Sequence, residues 1–284
     1  MELSQESTAC LQAKANAVRN SIVEMIGAAQ SGHPGGSLSA ADIITALYCA
    51  IMNHDPKNPR KPDRDRFILS KGHAAPALYA VLSECGYIPK EELVTLRKIN
   101  SRLQGHPCCK KVPGVEFSTG SLGQGLSCAG GVALAGKLDG LDFRVFCMIG
   151  DGETQEGQIW EAAMSAAHFG LGNLVCITDA NKLQIDGCVC DVMNINPLAD
   201  KWRAFGWNVI EIDGHCMKQI VDALSVKHMV SGKPTMVIAH TTKGCGVSFM
   251  ENQACWHAGV LSDDQMAQAR HDLCIDLNTI GGMD

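Results

Sequence analysis

Apolar and polar positions along this chain alternate between two periods. Residues 11–29 place Leu11, Ala15, Val18, Ile22, Met25, Ile26 and Ala29 three or four apart, which predicts a helix with one buried stripe. The run Ser31-Gly32-His33-Pro34-Gly35-Gly36 cannot continue it. A second helix is expected from Ser39, with Asp42 as a capping-box-like partner and Ile43, Leu47, Ala50 and Ile51 as its apolar face. A polar loop bearing Pro56, Pro59 and Pro62 leads to a short strand, Phe67-Ile68-Leu69, closed by Ser70-Lys71-Gly72-His73. Residues 74–85 and 89–99 read as helices, and Thr119-Gly120-Ser121-Leu122-Gly123-Gln124-Gly125 opens another that runs to about Lys137. Residues 143–149 are almost continuously apolar, as a strand buried on both faces requires. A helix over 155–169 follows, then strands over 174–178, 207–212 and 235–239, with a helix over 216–230 before the last. This alternation predicts an α/β fold, a doubly wound parallel sheet with helices on both faces and right-handed crossovers. No repeat or linker divides the chain. One domain over 1–284 is expected, with a helical and loop N-terminal part and a tail from about 260.

Composition narrows the classes. Hydrophobic residues at 46% and charged residues at 19% exclude a disordered chain. A net charge of −6 argues against nucleic acid as a partner, since a phosphate footprint needs a basic face. No stretch reaches the roughly 18 apolar residues of a membrane span, and the acidic start is wrong for a signal peptide. The 14 cysteines include no C-x-x-C; Cys108-Cys109 and Cys188-Val189-Cys190 are the close pairs, and Cys49, Cys128, Cys147 and Cys176 sit in apolar runs. The expectation is reduced thiols in a cytoplasmic protein.

The chemistry concentrates at Gly150-Asp151-Gly152-Glu153, between a buried strand and the next helix. Ligands of open α/β sheets bind at that edge, where helix starts offer N–H groups to an anion. A carboxylate beside an anion is repulsive unless a divalent cation lies between them. About thirty residues on, at the end of the following strand, come Asp179-Ala180-Asn181-Lys182-Leu183. Asn181 offers a neutral oxygen beside Asp151, and the Leu183 carbonyl is a third candidate ligand. Alone, Gly-Asp-Gly is a tight turn and Asn181 a turn former; the interval after a buried strand favours a metal site.

These segments resemble the thiamine-diphosphate-binding motif. Gly150-Asp151-Gly152-Glu153-Thr154-Gln155-Glu156-Gly157 and the 119–125 segment resemble the transketolase family. So, in family order, do Ser31-Gly32-His33-Pro34-Gly35-Gly36, Lys71-Gly72-His73, Gly105-His106-Pro107 and Trp256-His257. The resemblance implies that Asp151, Asn181 and the Leu183 carbonyl hold Mg²⁺ or Ca²⁺, and that Gly152 and His73 contact the diphosphate. It implies that Gly120 and Leu122 line the wall beside the cofactor rings, with Asn181 also at the cofactor. His257 reaches the diphosphate or the substrate, and Glu156 links two cofactor sites across the assembly. His33 and His106 exchange protons with, or hydrogen-bond to, the sugar. Imidazole suits that work because it titrates near working pH.

Three positions depart from the family pattern: Ala180 before Asn181, Ser121, and Cys108 after Gly105-His106-Pro107. Asp186-Gly187 reads as a turn, Lys243 as a surface lysine, and Trp160 and Trp202 as core or interface anchors. The length implies only the diphosphate-binding half of the family's cofactor site. The expectation is therefore a split transketolase subunit that pairs with a C-terminal, pyrimidine-binding subunit in a heterotetramer. It would move a two-carbon ketol unit from a ketose phosphate to an aldose phosphate. The alternatives are a 2-oxoacid dehydrogenase component, a deoxyxylulose-phosphate synthase, and a non-catalytic assembly protein on the same fold.

Overall fold

A computed structural model describes residues 4–280. Its centre is a five-stranded, all-parallel sheet built from β1 (Arg66–Leu69), β2 (Val145–Gly150), β3 (Leu174–Ala180), β6 (Asn208–Asp213) and β7 (Thr235–His240). The strand order is β1-β2-β3-β7-β6. Between β3 and β6 lies a two-stranded hairpin, β4 (Leu183–Gln184) with β5 (Gly187–Cys188), and Asp186 sits in its turn as expected. A single helical turn, α6 (Val189–Val192), follows the hairpin directly.

Alternate residues of each strand feed opposite faces. Phe146, Met148, Val175 and Ile177 pack under α1 (Gln5–Ala29), α2 (Pro34–Ala46), α3 (Ala75–Glu84) and α8 (Met217–Ala223). Val145, Cys147, Ile149, Leu174 and Cys176 pack under α4 (Gln124–Leu138), α5 (Gly157–His168) and α7 (Leu198–Ala204). Trp202 is fully buried there, with its ring 5.1 Å from that of Trp160. This is the doubly wound arrangement the sequence predicts.

Several local expectations are corrected. The second helix starts at Pro34, inside the run expected to break helices, because proline at the first turn gives up only an N–H without an intrahelical partner. Ser39 and Asp42 are therefore interior and fully buried rather than capping. Ser39 Oγ donates to Asp179 at 2.6 Å, and Asp42 pairs with Arg19 and His215. The segment 89–99 forms only a 3-10 turn, Lys90–Thr95, and Arg97 and Asn100 take left-handed backbone that ends it. The 119–125 stretch stays a loop up to Gly123, whose φ of 82° a helix cannot hold. The helix expected over 216–230 stops at Ala223, with a 3-10 turn at Val226–His228. Beyond these corrections, the described residues from about 260 onward pack against the N-terminal helix. They include α9 (Asp263–Ile280), which lies on α1, with Met266 against Gly27 and Arg270 paired with Glu24 at 2.5 Å. Cys188 and Cys190 stand side by side, Cα to Cα 5.3 Å, within reach of disulfide formation; the other described cysteines are free. No described helix is long and apolar enough to cross a membrane.

Candidate active site

The carboxyl ends of β1, β2, β3 and β7 meet a cavity of about 240 Å³. Its lining joins Asp151, Gly152, Asn181 and Leu183 to His73, Leu122, Glu156, Lys243 and His257. Neighbouring register brings these sequence-distant residues together: Gly150 pairs with Asp179, and Ala180 with His240. Asp151 and Asn181 thus leave adjacent strands at one edge.

Beneath the cavity lies a buried ionic layer. Lys71, at the end of β1, pairs with Asp179 and also donates to the Gly36 carbonyl at 3.0 Å. Asp179 further accepts from Ser39 at 2.6 Å, from Asn181 at 3.3 Å, and from Thr241. Burial alone would raise the Asp179 pKa, but Lys71 and these donors hold it below the usual carboxylate range. Glu153 is 3% exposed and accepts from the Gly123 and Gly150 N–H groups, each at 2.9 Å, and from Ser70. It therefore braces the loop that carries Leu122.

Asp151 differs. Its carboxylate accepts the Gly152 N–H at 2.8 Å and the Lys182 N–H at 2.5 Å, with no side-chain cation bound to it among the described residues. Burial and the neighbouring Asp179 push its pKa up to about 6. Asn181 Oδ1 accepts the Leu183 N–H at 3.2 Å, which fixes the turn presenting the Leu183 carbonyl. That carbonyl already meets a cation, the Lys243 ammonium at 3.1 Å. One carboxylate, one amide oxygen and one peptide carbonyl form a hard, oxygen-only donor set suited to Mg²⁺ or Ca²⁺. Gly152 keeps the backbone bare, since a Cβ there would approach Gln184 to 3.3 Å.

Above this floor stands a ladder of imidazoles. His33 lies 5.3 Å from His73, 5.6 Å from His257 and 6.5 Å from His106, ring centre to ring centre. His73 and His257 lie 5.1 Å apart. His33 and His106 lie outside the cavity lining and extend the ladder from His73 and His257. Gly120 lies against His106, where a Cβ would come within 3.0 Å. Burial, with Arg97, His106 and Lys243 adding positive charge, lowers the His33 pKa to about 4. Burial and Lys243 take His257 down to about 3. His73 is lowered by burial and Lys71, and His106 by burial and Arg97.

Two cations fix tautomers. Arg97 donates to His33 Nδ1 at 3.3 Å and to Ser31 at 2.9 Å. Lys243 faces His257 Nδ1 at 3.1 Å. Each imidazole accepts at Nδ1, so each presents Nε2–H.

Lys243 corrects the sequence reading. It is 2% exposed rather than a surface residue, and burial lowers its pKa to about 8. Its position just past β7, on the edge where such sheets bind ligands, is the signal that outweighs the surface reading. Arg97 and Glu153 were also missed; their roles come from long-range contacts that spacing does not show. Leu122 and Ile185 stand exposed, at 37% and 69%, on the outer lip. Glu156 is exposed at the start of α5.

A parallel α/β sheet with clustered oxygen donors and buried cations at its carboxyl edge has the chemistry of an anion-binding site. Comparison with known proteins makes the class specific. The family described as transketolase, thiamine diphosphate binding domain, matches residues 11–280. The chain belongs to that family. It is 46% identical over 263 residues to a 6-deoxy-6-sulfo-D-fructose transketolase subunit of Clostridium sp. (strain MSTE9), covering 93% of this chain and 96% of that one. It is 44% identical over 265 residues to an apulose-4-phosphate transketolase subunit of Phocaeicola vulgatus, covering 93% of each. The crystal structure of transketolase from Campylobacter jejuni superposes with a TM-score of 0.88 at 35% identity, over 93% of this chain and 42% of that one. The chain thus spans under half the length of that transketolase.

Proposed function

We propose that the chain is the diphosphate- and metal-binding subunit of a split, thiamine-diphosphate-dependent transketolase. The observation that carries this reading is the carboxyl-edge cavity, where Asp151, Asn181 and the Leu183 carbonyl face Lys243, His73 and His257. Asp151, Asn181 and the Leu183 carbonyl would hold Mg²⁺, or Ca²⁺ in its place. Gly152 and His73, together with Lys243 and His257, would receive the diphosphate, and Gly120 and Leu122 would form the wall beside the rings. Thiamine diphosphate, when bound, supplies the carbon nucleophile and electron sink for breaking a carbon–carbon bond beside a hydroxyl.

The chain's own residues orient the substrate and move protons. His33 and His257 are neutral at pH 7 and donate Nε2–H to substrate or phosphate oxygens. His106 has no side-chain hydrogen bond to its imidazole among the described residues, so it is the free proton exchanger. Glu156, at the exposed start of α5, would reach across the assembly toward the second cofactor site.

The partner is a pyrimidine-binding, C-terminal transketolase subunit, and the assembly a heterotetramer working in the cytoplasm. This is supported by relatives named as subunits that match over almost their full length, and by the exposed apolar lip of Leu122 and Ile185. The substrates are a ketose donor and an aldose acceptor with anionic tails, sugar phosphates in the first instance. The relatives' names, one sulfonated and one phosphorylated, support that class.

The test has two arms. At a hundredfold excess over Kd, Mg²⁺ with thiamine diphosphate adds about 2.7 kcal/mol to the stability of the binding form, read as a rise in Tm. Ketol transfer from xylulose 5-phosphate appears only when the pyrimidine-binding subunit is added. Full turnover by the isolated chain would refute the split site, and turnover of pyruvate but not of the ketose would refute the reaction.

A further inference from the structure

Cys188 and Cys190 play no part in the chemistry above, yet they sit on the hairpin that presents Leu183. Leu183 pairs with Cys188 in the β4–β5 register, and the Val189 N–H donates to the Lys182 carbonyl at 2.9 Å. The cysteines' Cα atoms are 5.3 Å apart, within the usual disulfide span of about 4.4–6.8 Å, and their sulfurs face each other. Cys190 is exposed and Cys188 half-buried, so small reagents reach the pair from solvent. The Cys190 N–H points at Cys188 Sγ from 3.4 Å, while the Asp191 carboxylate lies 3.5 Å from Cys190 Sγ. A hydrogen-bond donor therefore faces one sulfur and an anion the other, which makes Cys188 the attacking member.

We propose that Cys188 and Cys190 are a redox-active dithiol that exchanges with small-molecule disulfides and thereby sets how firmly the Leu183 carbonyl is held toward the metal. In the oxidising direction the Cys188 thiolate attacks one sulfur of a disulfide RSSR. That S–S bond breaks and RS⁻ leaves, taking up a proton. Cys190 then loses its proton and attacks the Cys188 sulfur of the mixed disulfide, expelling the second RS⁻. The balance is one protein dithiol and one RSSR giving one protein disulfide and two RSH. Closure ties residues 188–190 together directly across from Leu183; opening leaves that short hairpin to its few backbone contacts. The exchange stands on the cysteine geometry alone, and only its coupling to the metal rests on the function proposed above.

The test equilibrates the whole protein with glutathione and glutathione disulfide over a range of ratios. Thiols are then alkylated, and the mass of the peptide spanning 188–190 is read. In parallel, calorimetry measures the affinity for Mg²⁺ with thiamine diphosphate. The peptide is expected to pass from doubly alkylated to unalkylated and two hydrogens lighter as the disulfide fraction rises. Affinity should be several-fold weaker in the reduced state. The variant Cys190→Ser should show the weaker value at every ratio, while its unfolding midpoint reports that it folds. Two alkylated cysteines at all ratios would overturn the proposal, and equal affinity in both states would overturn the coupling. A peptide that switches in a protein binding no cofactor in either state would uphold the exchange and overturn both the coupling and the function.

Discussion

Two buried aspartates, Asp42 under the N-terminal helices and Asp151 at the sheet edge, solve the same problem differently. Asp42 is 0% exposed inside α2 and holds Arg19 in a two-pronged ion pair, with His215 Nδ1 at 2.7 Å. Burial would raise its pKa, but these partners hold it low. His215 in turn receives the Thr242 N–H at Nε2, 2.8 Å away, and Arg19 donates to the Cys245 carbonyl at 3.2 Å. The charge is met within the chain, and the surplus bonds position the turn that carries Lys243. Asp151 is 5% exposed and, among the described residues, accepts from two backbone N–H groups alone. A buried anion left short of positive charge is costly to a fold and useful to a ligand. Completeness of compensation, more than burial, separates the structural carboxylate from the candidate ligand.

Substitution should split the two sharply. Arg19→Met leaves Asp42 buried without its cation and should cost about 3–5 kcal/mol, read from urea unfolding. A loss under 1 kcal/mol would erase the contrast. Asp151→Asn should lower Mg²⁺ affinity on the order of 100-fold while costing at most about 1–2 kcal/mol of apo stability, since a buried charge disappears with it. Titration of the metal with thiamine diphosphate present, beside the same urea curve, decides this. Lys243→Met should weaken diphosphate binding by roughly tenfold to a hundredfold, the worth of one charged hydrogen bond at about 1.5–3 kcal/mol. An unchanged Kd would return Lys243 to a packing role.

The smallest effect is on pH. The His33 pKa is depressed from 6.5 to about 4, so the unfolded chain takes up a proton at higher pH than the folded one does. The His33 contribution is therefore fully present above pH 6.5 and fades as pH falls toward 4. Relative to His33→Gln, the wild-type urea midpoint should fall over that window. Parallel curves would mean that Arg97 and burial do not hold the imidazole neutral.

Much of the fold was legible because four of the five sheet strands are short, buried runs; the core of each lies where the apolar pattern places it. Boundaries failed where tertiary contacts override local preference. Ser39 and Asp42 look like a helix start, but Asp179 and Arg19, distant in sequence, claim their side chains. That Asp151 and Asn181, the proposed metal donors, share one cavity was legible because both follow neighbouring strands at the same edge. Lys243 satisfies that criterion equally, but a lysine next to glycine looks like surface. Arg97 was out of reach, since its contact with His33 joins residues 64 apart in sequence and depends on its own left-handed backbone.

The Lys71–Asp179 pair has a further consequence. It cancels two of the charges beneath the cavity, and the Gly123 and Gly150 N–H groups answer Glu153, which leaves Asp151 and Lys243 to greet an arriving ligand with opposite signs. On the function proposed above, Asp151 draws in the ion and Lys243 the pyrophosphate tail, and each guest relieves the other's repulsion. Loading should therefore be cooperative, with Mg²⁺ bound more tightly when thiamine diphosphate is present.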